Sequence, residues 1–253
     1  MILDLKGKTV FVTGSARRVG RAIALEFAKE GANLVIHYSS PRSADEGASA
    51  AEEVRALGVE TLTITGDQSK PDDVAQMVAQ IRDHYGKLDI MVNSAAIFKR
   101  TPLLDVDFAE WQQVLDINLT GPFLLTQHAA RLMIAGGQGG VIINISDNSG
   151  INPWQSRPAH SVSKAGVIML TQVSALALSE HNIRVNCVVP GPVLRPAGEP
   201  ESVLDDIAAA LPVGHIGTPQ NIGNACVFLA KNDFATGSIL RVDGGEGLAG
   251  GET

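Results

Sequence analysis

Short apolar runs alternate along the chain with segments in which apolar residues recur at helical spacing. The short runs predict seven strands, with the sequences KTVFVTG, ANLVIHY, ETLTITGD, LDIMVNSA, GGVIINIS, IRVNCVVPG and GSILRVDGG. The periodic segments predict helices over residues 19–30, 43–57, 72–85, 108–134, 158–180, 201–210 and 219–230. Because strand and helix alternate, we expect the strands to run parallel with helices on both faces of the sheet. The pattern therefore predicts a single α/β domain over residues 1–253, with a doubly wound, seven-stranded parallel sheet.

Composition and charge narrow the range of partners. The 253 residues are 45% hydrophobic and 19% charged, as in ordinary globular proteins. The net charge is −7 and no basic tract exceeds Arg17–Arg18, so neither nucleic acid nor an anionic membrane is expected as a partner. No signal peptide or membrane-spanning run is visible, and Cys187 and Cys226 lie in apolar runs typical of buried free thiols. We expect a soluble, cytoplasmic protein, and the histidine spacing indicates no metal site.

The turn after the first predicted strand reads VTGSARRVGRAIA and occupies residues 12–24. The usual dinucleotide-binding pattern has three glycines; here Gly14 and Gly20 are present, and Arg18 takes the middle position. Gly14 permits a tight turn, and the amides that open the helix face an anionic group. A glycine pair before a helix is weak evidence alone, but within an alternating sheet it predicts a bound dinucleotide.

The end of the second predicted strand indicates which dinucleotide binds. An acidic residue there would bind the ribose diol of NAD(H) and repel the 2′-phosphate of NADP(H). The sequence IHYSSPRSAD has no acid between Tyr38 and Asp45, and it offers hydroxyl groups and Arg42, with Arg17 nearby in the first turn. Hydroxyl and guanidinium groups suit a phosphate, which favours NADP(H). The alternative is that both arginines are solvated surface charges.

Several segments together resemble the short-chain dehydrogenase/reductase family. They are TGSARRVG, Asp67, NSAA at 93–96, Asn118 in NLTG, the segment around Lys164, IRVNCVVPGPV and GSILRVDGG. The resemblance spans nearly the whole chain and implies a single Rossmann-type domain, a nicotinamide coenzyme, and a homotetramer or homodimer. It also implies a coenzyme half over about residues 1–150 and a catalytic and substrate part over about residues 151–253.

Within this family the chain most resembles the pteridine reductases. The first turn carries the basic pair of SARRVG, the second strand ends in IHYSS, and VVPGPVLRP is similar to their substrate loop. Phe98 stands where that group stacks an aromatic ring on the pterin, and Asp147 stands where most family members have serine. Two features depart from that group: Ala96 replaces a serine that touches pterin, and the catalytic tyrosine is missing.

Histidine occupies the position of that tyrosine. The family pattern is Tyr-x-x-x-Lys with Ser or Asp 13 residues earlier, and His160 lies 13 residues after Asp147 and four before Lys164. The resemblance implies that Lys164 holds the nicotinamide ribose. An imidazole can also donate a proton, because its unperturbed pKa is about 6.5. The charge of Lys164 would disfavour the imidazolium form of His160, and the carboxylate of Asp147 would favour it. We hypothesise that Asp147 and His160 supply the proton and that Asn118 and Lys164 restore it.

These features predict an NADPH-dependent reductase that transfers hydride from nicotinamide C4 to a C=N bond of a pterin-like ring, a small-molecule substrate. One alternative is reduction of a carbonyl group, such as that of a 3-oxoacyl thioester or a sugar ketone. Another is a catalytically impaired member that binds NADP(H) without turnover. The proline-rich segment 190–200 is a candidate substrate lid, with a plain loop as the alternative.

The candidate site residues fall into three sets. Those predicted to be catalytic are Asp147, His160, Lys164 and Asn118. Those predicted to bind the coenzyme are Gly14, Ser15, Arg17, Arg18, Val19, His37, Tyr38, Ser39, Ser40, Asp67, Gln68, Asn93, Ser94, Ala95, Lys164, Pro190, Gly191 and Val193. Those predicted to contact the substrate are Arg18, Phe98, Asp147, Trp154 and Leu194, and a structural role for Trp154 is an equal alternative.

Overall fold

Seven parallel strands form the centre of the protein. The computed structural model describes residues 4–195 and 203–249. The strands are β1 Thr9–Val12, β2 Asn33–Tyr38, β3 Thr61–Thr65, β4 Ile90–Asn93, β5 Gly140–Ile145, β6 Ile183–Pro190 and β7 Ile239–Val242. They form one sheet in the order β3-β2-β1-β4-β5-β6-β7, and every neighbouring pair is parallel. The doubly wound, Rossmann-type sheet predicted from the hydrophobic pattern is confirmed.

Helices cover both faces of this sheet. They are α1 Arg18–Lys29, α2 Ala44–Ala56, α3 Pro71–Tyr85, α4 Phe108–Leu115, α5 Gly121–Gly136, α6 Pro158–Ala177, α7 Val203–Ala210, α8 Pro219–Lys231 and the short α9 Glu246–Ala249. The helix predicted over 108–134 is interrupted, because a π-helical turn at Asp116–Thr120 joins α4 to α5. Within the described ranges, no helix is both long and apolar enough to cross a membrane.

The five central strands, β1, β2, β4, β5 and β6, are mostly buried, which explains why they read as continuous apolar runs. The edge strands β3 and β7 are mostly half-buried. Successive side chains of β1 alternate between two hydrophobic clusters, as strand geometry requires. Val10 and Val12 belong to a cluster that also contains Phe27 of α1, whereas Phe11 belongs to a cluster with Met77 of α3. The two clusters fix the sheet between its helical layers and so fix where the strands end.

The strand order reverses direction at the centre of the sheet. β1 pairs with β2 on one side and with β4 on the other, so the connections leaving β1 and β4 run to opposite faces. In doubly wound sheets such a reversal leaves a crevice outside the carboxyl ends of the strands, and ligands bind there. The loops after β1 to β5 converge on this crevice.

Candidate active site

A cleft of about 610 Å³ lies at this switch point. Sixteen of the predicted residues line it: Gly14, Arg17, Arg18, Val19, His37, Tyr38, Ser39, Ser40, Asp67, Gln68, Ser94, Ala95, Phe98, Asp147, His160 and Lys164. Six residues that the sequence did not single out as ligands also line it: Ala16, Gly20, Ser43, Ala96, Ile97 and Ile117. The cleft therefore connects the glycine turn and the end of β2 with the Asp147–His160 pair.

The glycine turn after β1 is closely packed. Gly14 has a φ of 67°, and a Cβ atom built on it would lie 3.1 Å from the Cα of Ala95. Arg18 also has a positive φ, 53°, although it carries a side chain. This left-handed conformation costs a non-glycine residue roughly 1–2 kcal/mol. The backbone at Arg18 thus has the conformation that the dinucleotide-binding pattern assigns to glycine. The Arg18 side chain is exposed and borders the cleft.

His37 is a wall of the cleft with both ring nitrogens engaged. Gly14 N–H donates to Nδ1 at 3.0 Å, so Nε2 carries the proton and donates to the carbonyl of Gly66 at 2.9 Å. Burial lowers the pKa of His37 and keeps the ring neutral. The ring orders the glycine turn, and the predicted contact of His37 with the coenzyme stays a prediction, as does that of the exposed or half-exposed hydroxyls of Ser39 and Ser40.

The loop after β3 contributes one engaged carboxylate and one free amide oxygen. Asp67 Oδ1 accepts from the backbone N–H and hydroxyl of Ser69 at 3.0 and 2.7 Å. Gln68 Nε2 donates to the carbonyls of Ala95 and Ile117 at 3.0 and 2.7 Å. Its buried Oε1 has no hydrogen-bond partner among the described residues. Because an unpaired buried acceptor is costly, this oxygen fits the N–H of a ligand such as an adenine amino group.

Two predicted coenzyme ligands point into the interior. Ser15 donates to the carbonyl of Val12 at 2.7 Å and accepts from the backbone N–H of His37 at 2.9 Å. Asn93 donates to Asn144 at 2.7 Å, within a buried side-chain network between β4 and β5. Neither residue is among the described residues that line the cleft, and the buried Oδ1 of Asn93 has no hydrogen-bond partner among the described residues; their roles as coenzyme ligands stay predictions.

The segment after β6 also lies away from the described lining. Pro190, Gly191 and Val193, predicted coenzyme ligands, and Leu194, a predicted substrate contact, are not among the described residues that line the cleft. Gly191 N–H donates to the carbonyl of Val242, and Val193 is buried in a core cluster. Of the candidate lid 190–200, residues 196–200 lie outside the described residues.

Asp147 follows β5 and is held by two residues. Its Oδ1 accepts from the backbone N–H and hydroxyl of Ser149 at 3.0 and 2.5 Å, and its Oδ2 lies 2.5 Å from Nε2 of His160. Burial alone would raise the pKa of Asp147. The hydrogen bond from His160 and the charges of Lys164 and His160 outweigh burial and lower the pKa to about 2. The carboxylate is thus ionised at neutral pH beside the imidazole.

The other edge of the His160 ring faces the loop after β4. Nδ1 lies 3.3 Å from the carbonyl oxygen of Ile97 and 3.4 Å from Nδ2 of Asn118. Asn118 is buried and makes two bonds with the Ile97 backbone, at 2.8 and 2.9 Å. A protonated Nδ1 can donate to the carbonyl, and an unprotonated one can accept from the amide. Asn118 therefore contacts His160 and the loop that carries Phe98.

Lys164 lies one helical turn after His160 on α6. Its Nζ donates to the carbonyl of Ile145 at 2.9 Å, and the residue is 5% exposed. Burial lowers the pKa of Lys164, and the nearby carboxylate of Asp147 opposes this effect. The remaining Nζ protons lie where the side chain borders the cleft. The contact of Lys164 with a nicotinamide ribose, which the resemblance implies, stays a prediction.

Aromatic rings surround the imidazole. The ring centroid of Phe98 lies 4.7 Å from that of His160 at 90°, and Trp154 is stacked on His160 at 6.4 Å. The guanidinium of Arg157 sits 4.2 Å from the centroid of Phe98. Phe98 lines the cleft and is 53% exposed. Trp154 is half-buried and is not among the described lining residues, which favours its structural alternative.

Two residues of this site were missed by the sequence analysis. Ser149 fixes Asp147, and Arg157 lies over Phe98. A signal for Ser149 was present, because the pattern Asp-x-Ser occurs at 67–69 and again at 147–149, and both copies form the same turn. Nothing local to the sequence marks Arg157. Among the residues that the structure describes, no group of His, Cys, Asp or Glu could hold a metal ion.

The chain resembles known oxidoreductases over nearly its whole length. A family model described as enoyl-(acyl carrier protein) reductase matches residues 14–246. The 3beta-hydroxysteroid dehydrogenase 1 of Eggerthella lenta is 38% identical over 251 residues, which cover 96% of this chain and 94% of that protein. The L-rhamnose 1-dehydrogenase (NAD(P)(+)) of a Sphingomonas species is 34% identical over 252 residues, which cover 95% and 96%.

Solved structures agree with these relatives. A short-chain type dehydrogenase/reductase from Mycobacterium marinum has 34% identity and a TM-score of 0.88, with 96% of each chain covered. A putative gluconate dehydrogenase from Agrobacterium tumefaciens has 31% identity and a TM-score of 0.90, with 98% of each chain covered.

The fold and its cleft define a doubly wound α/β protein of the dinucleotide-binding class. The family match and the identities above 30% make the assignment more specific. The chain belongs to the short-chain dehydrogenase/reductase family, a family of oxidoreductases that use NAD or NADP.

Proposed function

We propose that the protein is an NADP(H)-dependent oxidoreductase that interconverts a carbonyl and a hydroxyl group in a small organic substrate. The observation that carries the proposal is the meeting of Asp147, His160 and Lys164 with the glycine turn in one cleft. A bound nicotinamide coenzyme would supply or accept hydride there. The protein's part is to hold the ribose through Lys164 and to hold a proton at the Asp147–His160 pair.

The preference for NADP(H) rests on the end of β2. Arg17, Arg18, Ser39 and Ser40 line the cleft there. Arg17 lies 3.7 Å from Glu46, but both side chains are exposed, so this ion pair is weak and leaves the guanidinium available. The left-handed turn at Gly14 and the unpaired Oε1 of Gln68 also fit a dinucleotide.

A pterin-like substrate, reduced at a C=N bond, is the second candidate. The exposed ring of Phe98 beside His160 favours it. Arg157 covers one face of this ring at 4.2 Å, so a flat substrate would need the other face. The relatives reported above are named for a steroid and for sugar compounds, which gives the carbonyl–hydroxyl reaction priority.

The test is a panel of substrates with both coenzymes. Oxidation of NADPH and NADH is followed by nicotinamide absorbance with 3-oxosteroids, aldonolactones, 3-oxoacyl thioesters and dihydropterins, and the reverse reaction with the matching alcohols. We expect turnover with a carbonyl or alcohol and tighter binding of NADPH. Equal binding of NADH would refute the coenzyme preference. Preference for dihydropterin would select the second candidate, and binding without any turnover would identify an impaired member.

We also propose that the protein self-associates through its helical faces. Met169, Val173 and Leu176 form an exposed apolar stripe on α6, and Phe108 and Phe123 are exposed on α4 and α5. Exposed apolar patches of this kind mark interfaces in soluble proteins. Light scattering after size exclusion should report a dimer or tetramer, and a monomer at micromolar concentration would contradict this.

A further inference from the structure

The side chain at the tyrosine position is more deeply buried than its acidic neighbour. The side chain of His160 is 3% exposed, whereas that of Asp147 is 20% exposed. Both residues border the cleft. The carboxylate is therefore the more accessible of the two groups.

The His160 ring is also fixed in this position. Nε2 is bonded to Asp147, and Nδ1 is within reach of the Ile97 carbonyl and the Asn118 amide. Trp154 is stacked on the ring at an interplanar angle of 13°, and Phe98 packs against it at 90°. A rotation that presented either nitrogen to a substrate would break these bonds and these ring contacts.

Asp147, by contrast, has an acceptor position left. A carboxylate has about four lone-pair positions, two on each oxygen. Oδ1 accepts two hydrogen bonds from Ser149, and Oδ2 accepts one from His160. Oδ2 therefore keeps one acceptor position, to which the O–H of an alcohol substrate or product can donate, and Asp147 is the more exposed member of the pair.

We propose that Oδ2 of Asp147 contacts the reacting oxygen of the substrate, and that His160 is a positioning residue that orients Oδ2 and carries the proton behind it. This inference deepens the proposed function and rests on it. It reverses the roles that the spacing of the family pattern would give these two positions.

The proton transfer balances in either direction. In reduction, hydride from the nicotinamide coenzyme adds to the carbonyl carbon, and the electron pair of the C=O bond moves to oxygen. For this step the pair starts as an ionised Asp147 and a His160 imidazolium with a proton on each ring nitrogen. The Nε2 proton moves to Oδ2 and from Oδ2 to the substrate oxygen, so Asp147 is protonated only in passing. The pair ends with an ionised Asp147 and a neutral His160 whose Nδ1–H faces the Ile97 carbonyl. Oxidation of the alcohol returns the proton by the same route.

Three variants separate the roles. Asp147→Asn keeps the shape but cannot carry the proton, so we expect kcat to fall by about 10²–10⁴. His160→Gln keeps a hydrogen-bond donor for Oδ2, so at its own pH optimum it should lose less kcat than Asp147→Asn, with little change in KM. Its reduction should be confined to acid pH, because Asp147 must then be protonated itself. Ser149→Ala, the matched control, removes only the hydroxyl bond to Oδ1 and keeps the backbone N–H bond, so it should have the smallest effect on kcat.

A second measurement needs neither coenzyme nor substrate. In protein labelled with ¹⁵N-histidine, the signal of the hydrogen-bonded Nε2–H of His160 should be lost in His160→Gln, which assigns it. It should shift strongly in Asp147→Asn and remain in Ser149→Ala. An unchanged signal in Asp147→Asn would show that the pair does not form.

The outcomes distinguish this inference from the proposed function. If the unmodified protein turns over no substrate, the proposed function fails, and the inference fails with it. A different result would show that the imidazole contacts the substrate. In that case the unmodified protein is active, His160→Gln loses more kcat than Asp147→Asn, and Asp147→Asn keeps the original pH profile. That result would overturn the inference alone.

Discussion

Replacing Gly14 by alanine tests the packing of the turn that we assign to the coenzyme. Two effects add at this position. A left-handed φ costs an alanine roughly 1–2 kcal/mol, part of which is offset because alanine restricts the unfolded chain by about 0.4–1 kcal/mol. The new Cβ also lies 3.1 Å from the backbone Cα of Ala95, and overpacking of this kind costs about 1–3 kcal/mol. We expect Gly14→Ala to lower the free energy of unfolding by about 3 kcal/mol.

Gly58 provides the matched control. It has a φ of 81°, and a Cβ built on it meets nothing within 4 Å. Gly58→Ala should therefore show only the backbone effect, about 1 kcal/mol. Urea denaturation of both variants, followed by circular dichroism, measures the difference, and NADPH titration should show weaker binding for Gly14→Ala alone. Equal destabilisation of the two variants would refute the steric argument, because Ala95 would then have moved aside freely.

Three further predictions concern the same cleft. Arg18→Gly should raise the free energy of unfolding by about 0.5–1 kcal/mol, because relief of the left-handed φ exceeds the entropic cost of glycine. The same variant should bind NADPH more weakly. Lower stability in urea would contradict the first expectation. Burial lowers the pKa of Lys164, so the stability difference between the unmodified protein and Lys164→Met in urea titrations should rise with pH towards about 10. Burial raises the pKa of Tyr85, Cys187 and Cys226 in both proteins and so cancels from this difference; a difference independent of pH would contradict the burial of a charged Lys164. In a double-mutant cycle of Asp147→Ser and His160→Tyr, unfolding should show a coupling of about 0.5–3 kcal/mol; additive effects would refute the pairing.

The fold was predictable because its signals are local and repeated. Each central strand is mostly buried, so it appears as an apolar run, and each covering helix shows its own periodicity. The π-helical turn at Asp116–Thr120 was not predictable in this way. Gln68, about 50 positions earlier in the chain, donates to the Ile117 carbonyl within that turn, and no local pattern reports such a contact.

The candidate site was predictable as a set of positions but not as a set of orientations. The ends of parallel strands meet at one edge, so the sequence indicated which loops converge. The sequence could not show that the Asn93 side chain donates to Asn144, or that both ring nitrogens of His37 form hydrogen bonds with backbone groups. Nor could it show that Arg157 reaches Phe98. These outcomes depend on which partner each polar group finds when it is buried, and the partners come from distant segments.

Asp147 and His160, the two residues that differ from the usual family pattern, each stabilise the other in a buried position. A carboxylate that is mostly buried is costly unless a cation or a donor compensates it. At Asp147 the imidazole of His160 donates at 2.5 Å, and the ammonium of Lys164 adds a favourable charge. His160 is buried as well, and its Nε2–H needs an acceptor. A charged carboxylate at position 147 is a stronger acceptor than the uncharged hydroxyl of a serine would be. Aspartate and histidine are therefore best understood as one coupled unit, in which the acid supplies the exposed oxygen and the imidazole holds it in place.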